Sequence, residues 1–136
     1  MNLADIQFVD TFLQLRLDEH QFTVDVGEAS KVKVCEELLH FCLSPDGRKI
    51  GAEFCEAARA MLDELLEEGA FERIFGERRN NDLAVGQICG RIAEAFFVRR
   101  GQITAQIWVN FRKEVDASLE SMQVRAADDD APPPIQ

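Results

Sequence analysis

The sequence predicts a mainly α protein with a short N-terminal β-hairpin, an α+β fold built as a compact bundle of four to five helices. Three observations carry this. Apolar residues recur at helical spacing through most of the chain after residue 28, alternation at period two without a competing helical spacing is found over residues 12–26, and three of the four prolines are gathered in the terminal stretch Asp128–Gln136. The segments between are thus left without helix breakers. With 136 residues, 46% of them apolar, the chain can bury a core without a disulfide or metal staple. A single compact domain is expected over 1–127, followed by a disordered acidic, Pro-rich tail over 128–136.

The hairpin is expected over about 12–26. Phe12-Leu13-Gln14-Leu15-Arg16-Leu17 and Phe22-Thr23-Val24-Asp25-Val26 alternate apolar and polar residues on either side of Asp18-Glu19-His20-Gln21, which places His20 in the turn. A lone hairpin is marginal in water, so one face must lie on the helices or its edge must pair with another chain. A first helix follows over about 29–43, with Val34, Leu38 and Phe41 on its stripe and Asp25 or Ser30 as candidate N-cap. Ser44-Pro45-Asp46-Gly47 has the chemistry of a turn. The second helix, about 50–68, carries Phe54, Ala58, Met61, Leu62 and Leu65 on one side, with Gly69 as its stop.

A short helix over 70–76 presents Phe71, Ile74 and Phe75 and ends at Gly76, where the missing Cβ permits a left-handed cap. Asn80-Asn81-Asp82 caps a further helix over about 82–99, striped by Val85, Ile88, Cys89, Ile92, Phe96 and Phe97. Gly86 and Gly90 sit four apart on it, which implies either close approach of another element or a site tolerant of glycine. Residues 103–111 alternate as a strand would, yet Ile103, Ile107, Phe111 and Val115 also recur at i, i+4. Because Leu119 and Met122 continue that spacing, the last helix is read over 103–125, with Trp108 either at the edge of the core or exposed as an anchor.

The formal charge of −10 argues against nucleic acid and anionic membranes as partners, since both need clustered Lys and Arg. Arg78-Arg79 and Arg99-Arg100 are too few for a groove. No apolar run has the length of a membrane span, and Met1-Asn2-Leu3-Ala4-Asp5 lacks the basic stretch of a secretory signal, so the cytoplasm is the expected location. Cys35, Cys42, Cys55 and Cys89 fall in apolar helical patterns without C-x-x-C spacing and read as buried thiols.

Signals of chemistry are weak. His20 and His40 are the two imidazoles; His40 follows Glu36 by one helical turn, which reads as a surface ion pair, and Cys42 at i+2 faces away from it. Glu53-x-x-Glu56 and Glu64-x-x-Glu67 have spacing that can hold Mg²⁺. All-α nucleotide pyrophosphatases answer such a pair with acids on a facing helix, where this chain offers only Glu94, so both pairs read first as a solvated helix face. No phosphate-cradling glycine loop is present, and with no Tyr the chain lacks an aromatic platform for bases. No catalytic residue, no metal ligand and no cofactor is expected.

One stretch carries more. In Cys55-Glu56-Ala57-Ala58-Arg59-Ala60-Met61-Leu62-Asp63-Glu64-Leu65-Leu66-Glu67-Glu68-Gly69-Ala70-Phe71-Glu72-Arg73-Ile74-Phe75-Gly76, an Asp-Glu-Leu helix runs into a Gly-containing turn and an Arg-Ile-Phe-Gly knob, followed by Asn80-Asn81-Asp82-Leu83 and a further helix. Together with the opening Phe22-Thr23-Val24-Asp25-Val26 strand, this order over roughly residues 22–97 resembles the tail assembly chaperone-like proteins of siphophages and prophages. Where such proteins often carry Phe-Gly after the Asp-Glu-Leu segment, this chain has Leu66-Glu67. The resemblance implies a non-enzymatic role in virion assembly: holding the tape measure protein soluble in the bacterial host cytoplasm while the tail is built. It implies that Leu62, Leu65, Phe71, Ile74 and Phe75 line an apolar groove, with Trp108 as a further anchor and Gly76 as a structural cap. Taken singly, each of these apolar positions reads first as core. A permanent structural or adaptor subunit of the tail is the alternative role, and association of the chain with itself fits either.

Overall fold

The hairpin forms where the alternation places it. The computed structural model describes residues 3–44 and 50–129, with side chains described as far as Gln123. Strands β1 (Phe12–Leu17) and β2 (His20–Asp25) pair antiparallel in the register Leu13↔Val24, Leu15↔Phe22 and Leu17↔His20. One face therefore carries Leu13, Leu15 and Leu17 opposite Val24 and Phe22, and the β2 side of that face is buried. The turn is shorter than the polar stretch suggests. Asp18 and Glu19 alone make it, Asp18 adopting φ 55°, which Asp tolerates, while His20 is the first residue of β2.

Helix α1 (Ala29–Leu43) has the expected bounds but not the expected cap. Glu28 occupies the N-cap without accepting from a helix backbone N–H, its Oε1 accepting from the Ser30 hydroxyl at 2.9 Å, while Asp25 Oδ1 accepts from the Gly27 N–H at 2.8 Å and from the Thr11 hydroxyl at 2.7 Å. The Ser44–Gly47 turn falls largely on residues outside those described. Helix α2 (Gly51–Leu65) ends one turn before the expected 68, and Gly69 then takes φ 84°. Helix α3 (Ala70–Phe75) closes at Gly76, whose φ of 52° is positive as glycine permits but whose ψ of −117° lies outside the left-handed helical cap expected of it, and a 3-10 turn (Gly76–Arg78) leads to α4. Two predicted helices, 82–99 and 103–125, are one uninterrupted α4 (Asp82–Asp129), which settles the 103–111 ambiguity as helix. Asp128 and Asp129 lie in that helix, and the rest of the expected tail lies outside the described residues.

The chain divides into two compact units, Met1–Arg100 and Gly101–Gln136. The first unit holds the core: Phe22, Val24 and Val26 from the hairpin, Val34, Cys35 and Leu38 from α1, Phe54, Ala58, Leu62 and Leu65 from α2, Phe71 and Phe75 from α3, and Val85, Cys89, Ile92 and Phe96 from α4 are all buried. Phe41 stacks on Phe54 at 4.7 Å, and Phe71 lies 4.7 Å from Phe75. Polar ties hold the pieces in register. Arg100 Nη1 donates to the Val26 carbonyl at 2.9 Å and Arg99 Nε to the Phe12 carbonyl at 3.1 Å, fixing the hairpin to α4. Lys31 Nζ reaches the Glu64 carbonyl in the last turn of α2 at 2.6 Å, and Asp63 Oδ1 accepts the otherwise orphaned Phe71 N–H of α3 at 2.8 Å.

Candidate partner-binding surfaces

The residues that the resemblance implies for a groove fall into two groups. Leu62, Leu65, Phe71 and Phe75 are buried, and Ile74 is half-buried. The apolar stripe of α2 and the small α3 knob are consumed by packing against each other and against α1 and α4, so these side chains form the core and offer a partner no surface. The physical reason is the short α2–α3 connection: Gly69 turns the chain at once, and Asp63 and Arg73 pin α3 back, the latter through Arg73 Nη2–Glu67 Oε1 at 3.0 Å. Trp108 is the exception. It is 62% exposed and stands edge-on to Phe111, ring centroids 6.0 Å apart.

Trp108 is part of a larger face. In α4 from Gly101 onward, Ile107, Trp108, Phe111, Val115, Leu119 and Met122 fall within an arc of roughly 120° of the helix, while Arg112, Lys113, Asp116 and Glu120 occupy the other side. Ile107 and Val115 are half-buried, and Trp108, Phe111, Leu119 and Met122 are exposed. Among the described residues of this second unit, Ile103 alone is buried. An amphipathic helix with its apolar face open is the form that accepts another amphipathic helix. Arg112 Nε and Asp116 Oδ2, 3.3 Å apart across one turn, brace its polar side.

A second apolar surface lies wholly in the first unit. Leu39, Cys42 and Leu43 of α1 face Gly90, Phe97 and Val98 of α4 across a groove of about 700 Å³, edged by Gln87, Arg91 and Glu94. Gly90 explains it. A Cβ built there meets nothing within 4 Å, so the glycine marks no close helix approach and leaves the groove floor open. This groove is not legible in the sequence: Phe97 belongs to the apolar stripe of its helix, Leu43 and Val98 are ordinary apolar helix positions, and only exposure separates the last two from the core.

The candidate chemistry does not assemble. Glu53 and Glu56 border a shallow depression with Ala52 and Ala57, Glu56 lies 3.7 Å from Arg59, and Glu67 pairs with Arg73. Among the described residues no group of three or more His, Cys, Asp or Glu is placed to hold a metal ion. No ion pair joins Glu36 to His40 there either. None of the four cysteines is in a disulfide. Burial pushes the Cys35 thiol up to about 12, with Glu36 adding to the shift, and raises Cys89 for the same reason, with Cys42 and Cys55 beside it. Such thiols are inert toward nucleophilic chemistry at neutral pH.

No protein-family model, curated protein or solved structure matches this chain. Among the described residues no helix is long and apolar enough to cross a membrane.

Proposed function

We propose that this protein is a phage tail assembly chaperone that binds the tape measure protein during tail morphogenesis, acting in the host cytoplasm by reversible hydrophobic contact and without catalysis. The observation that carries the reading is the open apolar face of α4 from Ile107 to Met122. A tape measure chain is long, helical and prone to self-association. A holder for it needs an apolar strip that fits an amphipathic helix and enough like charge to keep the complex soluble, and the formal charge of −10 supplies the second. Trp108 and Phe111 are the anchors, since aromatic side chains dominate the energetics of such contacts.

Co-expression with a tape measure protein from the same genome, followed by size-exclusion chromatography of the soluble fraction, tests this. Co-elution is expected, with the partner insoluble when expressed alone, and the Trp108→Glu, Phe111→Glu double variant is expected to leave the partner in the pellet. A partner that precipitates regardless while this protein keeps its own peak would sink the chaperone reading. Recovery of the protein from purified virions would favour the structural or adaptor role instead.

A further inference from the structure

We propose that the chain pairs with a second copy of itself through the open face of α4, the two helices running antiparallel with Val115 at the centre. The face is symmetric about that residue. At about 1.5 Å and 100° per residue, Phe111 and Leu119 stand one turn to either side of Val115 along the helix and about 40° to either side around it, while Trp108 and Met122 stand two turns away and about 20° to either side. A twofold axis at Val115 therefore brings Trp108 of one copy beside Met122 of the other, and Phe111 beside Leu119. These four are the residues of the face that solvent reaches, Trp108 and Met122 at 62%, Phe111 at 55% and Leu119 at 48% exposure.

A closed dimer needs a patch that complements itself, and this one does. The residues of each facing pair lie on opposite sides of the seam and slot past each other, so only Val115 meets its own copy head-on. It is the smallest of the five, which lets the helices approach there. The charges favour the same direction. Arg112 and Asp116 lie on one flank of the face, 3.3 Å apart within the chain. Antiparallel pairing brings like flanks together and sets Arg112 of one copy about 3 Å along the axis from Asp116 of the other. Two such pairs form against a single like pair on the far flank, Glu114 with Glu114 of the second copy. Exposed pairs of this kind orient a contact more than they strengthen it. From Gly101 to Gln123 two cations stand against three anions, so this segment carries −1 of the chain's −10, and a second copy meets little like charge here.

The five side chains expose roughly 500 Å² of apolar area per copy, about 1,000 Å² for the pair, which belongs to the weak, transient size class. Dilution to about the low micromolar range therefore leaves single chains with the face open. The pairing needs no other protein and does not rest on the tape measure reading. Where both hold, the two occupants exclude each other, and a tape measure helix must displace the second copy.

Light scattering after size-exclusion chromatography, over about a hundredfold range of protein concentration reaching about 1 mM, reads the pairing. The mass is expected to rise from the 15.4 kDa of one chain towards twice that value and to stop there, because a twofold contact closes. Trp108→Glu, at an exposed position, is expected to weaken pairing by at least about tenfold. A single-chain mass at every concentration overturns the proposal, and so does growth beyond two chains. Direction is read by cross-linking in a Cys42→Ser background, since the other three cysteines are buried. Phe111→Cys and Leu119→Cys chains, mixed and oxidised with diamide, are expected to give disulfide-linked dimers on a non-reducing gel that neither variant gives alone. Dimers from each variant alone would mean parallel helices and overturn it. At low salt, Arg112→Asp and Asp116→Arg are each expected to weaken pairing and to recover it when mixed, which an ion pair within one chain cannot do. Mixing without recovery overturns the antiparallel register.

Discussion

Helix α4 carries one kind of apolar periodicity through two settings. Up to Arg100, its stripe of Val85, Cys89, Ile92 and Phe96 is buried; from Gly101, the stripe of Ile107, Phe111, Val115 and Met122 is half-buried or exposed. The same spacing at the level of sequence yields core in one region and open surface in the other. Periodicity therefore specifies that a face exists, and the presence or absence of other elements of the chain specifies whether it is filled.

The comparison breaks most sharply on paired truncations. Phe71→Ala is expected to cost about 3–5 kcal/mol in urea unfolding, because a fully enclosed ring leaves a cavity, whereas Phe111→Ala should stay within about 0.5 kcal/mol. Equal costs for the two would mean that the face from Gly101 onward is covered in solution. A second contrast uses pH. Cys35 is held protonated well above its ordinary value of 9.0, up to about 12, and Cys89 is raised too, so in this range the native state binds more protons than the unfolded one. Stability is then full below about pH 9 and falls as pH rises toward 12, with a slope approaching about 1.4 kcal/mol per pH unit for each such thiol. Denaturant titrations at pH 8, 9.5 and 10.5 check it, and a flat profile would mean that those thiols are wetter than their burial implies.

Smaller effects test the ties within the first unit. Asp63→Ala leaves the Phe71 N–H at the start of α3 without its acceptor and should cost about 1–2 kcal/mol by thermal unfolding. Smallest is a pair of glycine changes with opposite signs. Gly90→Ala adds helix propensity where there is room and should stabilise by about 0.5–1 kcal/mol, while Gly76→Ala, at φ 52°, should destabilise by about 1 kcal/mol. Loss of stability at Gly90 would show that the groove floor is closed in solution.

Much of the fold is legible before any coordinates. The bounds of α1, the hairpin alternation and the breaks at Gly69 and Gly76 all come from local rules: period two or 3.6, and glycine where φ must be positive. The expectations that failed depend on competition between neighbours. Asp25 looks like an N-cap, but the Thr11 hydroxyl and the Gly27 N–H claim its carboxylate; His20 looks like a turn residue, but Asp18 accepts the strained conformation and lets pairing continue to Leu17↔His20. The candidate groove was less legible. Leu62, Leu65, Phe71 and Phe75 have the size and spacing of partner-binding residues and of core residues alike, and burial alone tells them apart.

Composition and spacing by themselves determined the acidic character, the hairpin followed by helices, and the amphipathic face around Trp108, because these depend on neighbours within a few positions along the chain. Tertiary structure decided the rest: which stripes meet and vanish into the core, that Gly90 opens a groove where close packing was one expectation, and that the face from Ile107 to Met122 remains exposed. Burial is a property of groups brought together from distant parts of the chain, and a pattern read one turn at a time contains no information about what stands opposite.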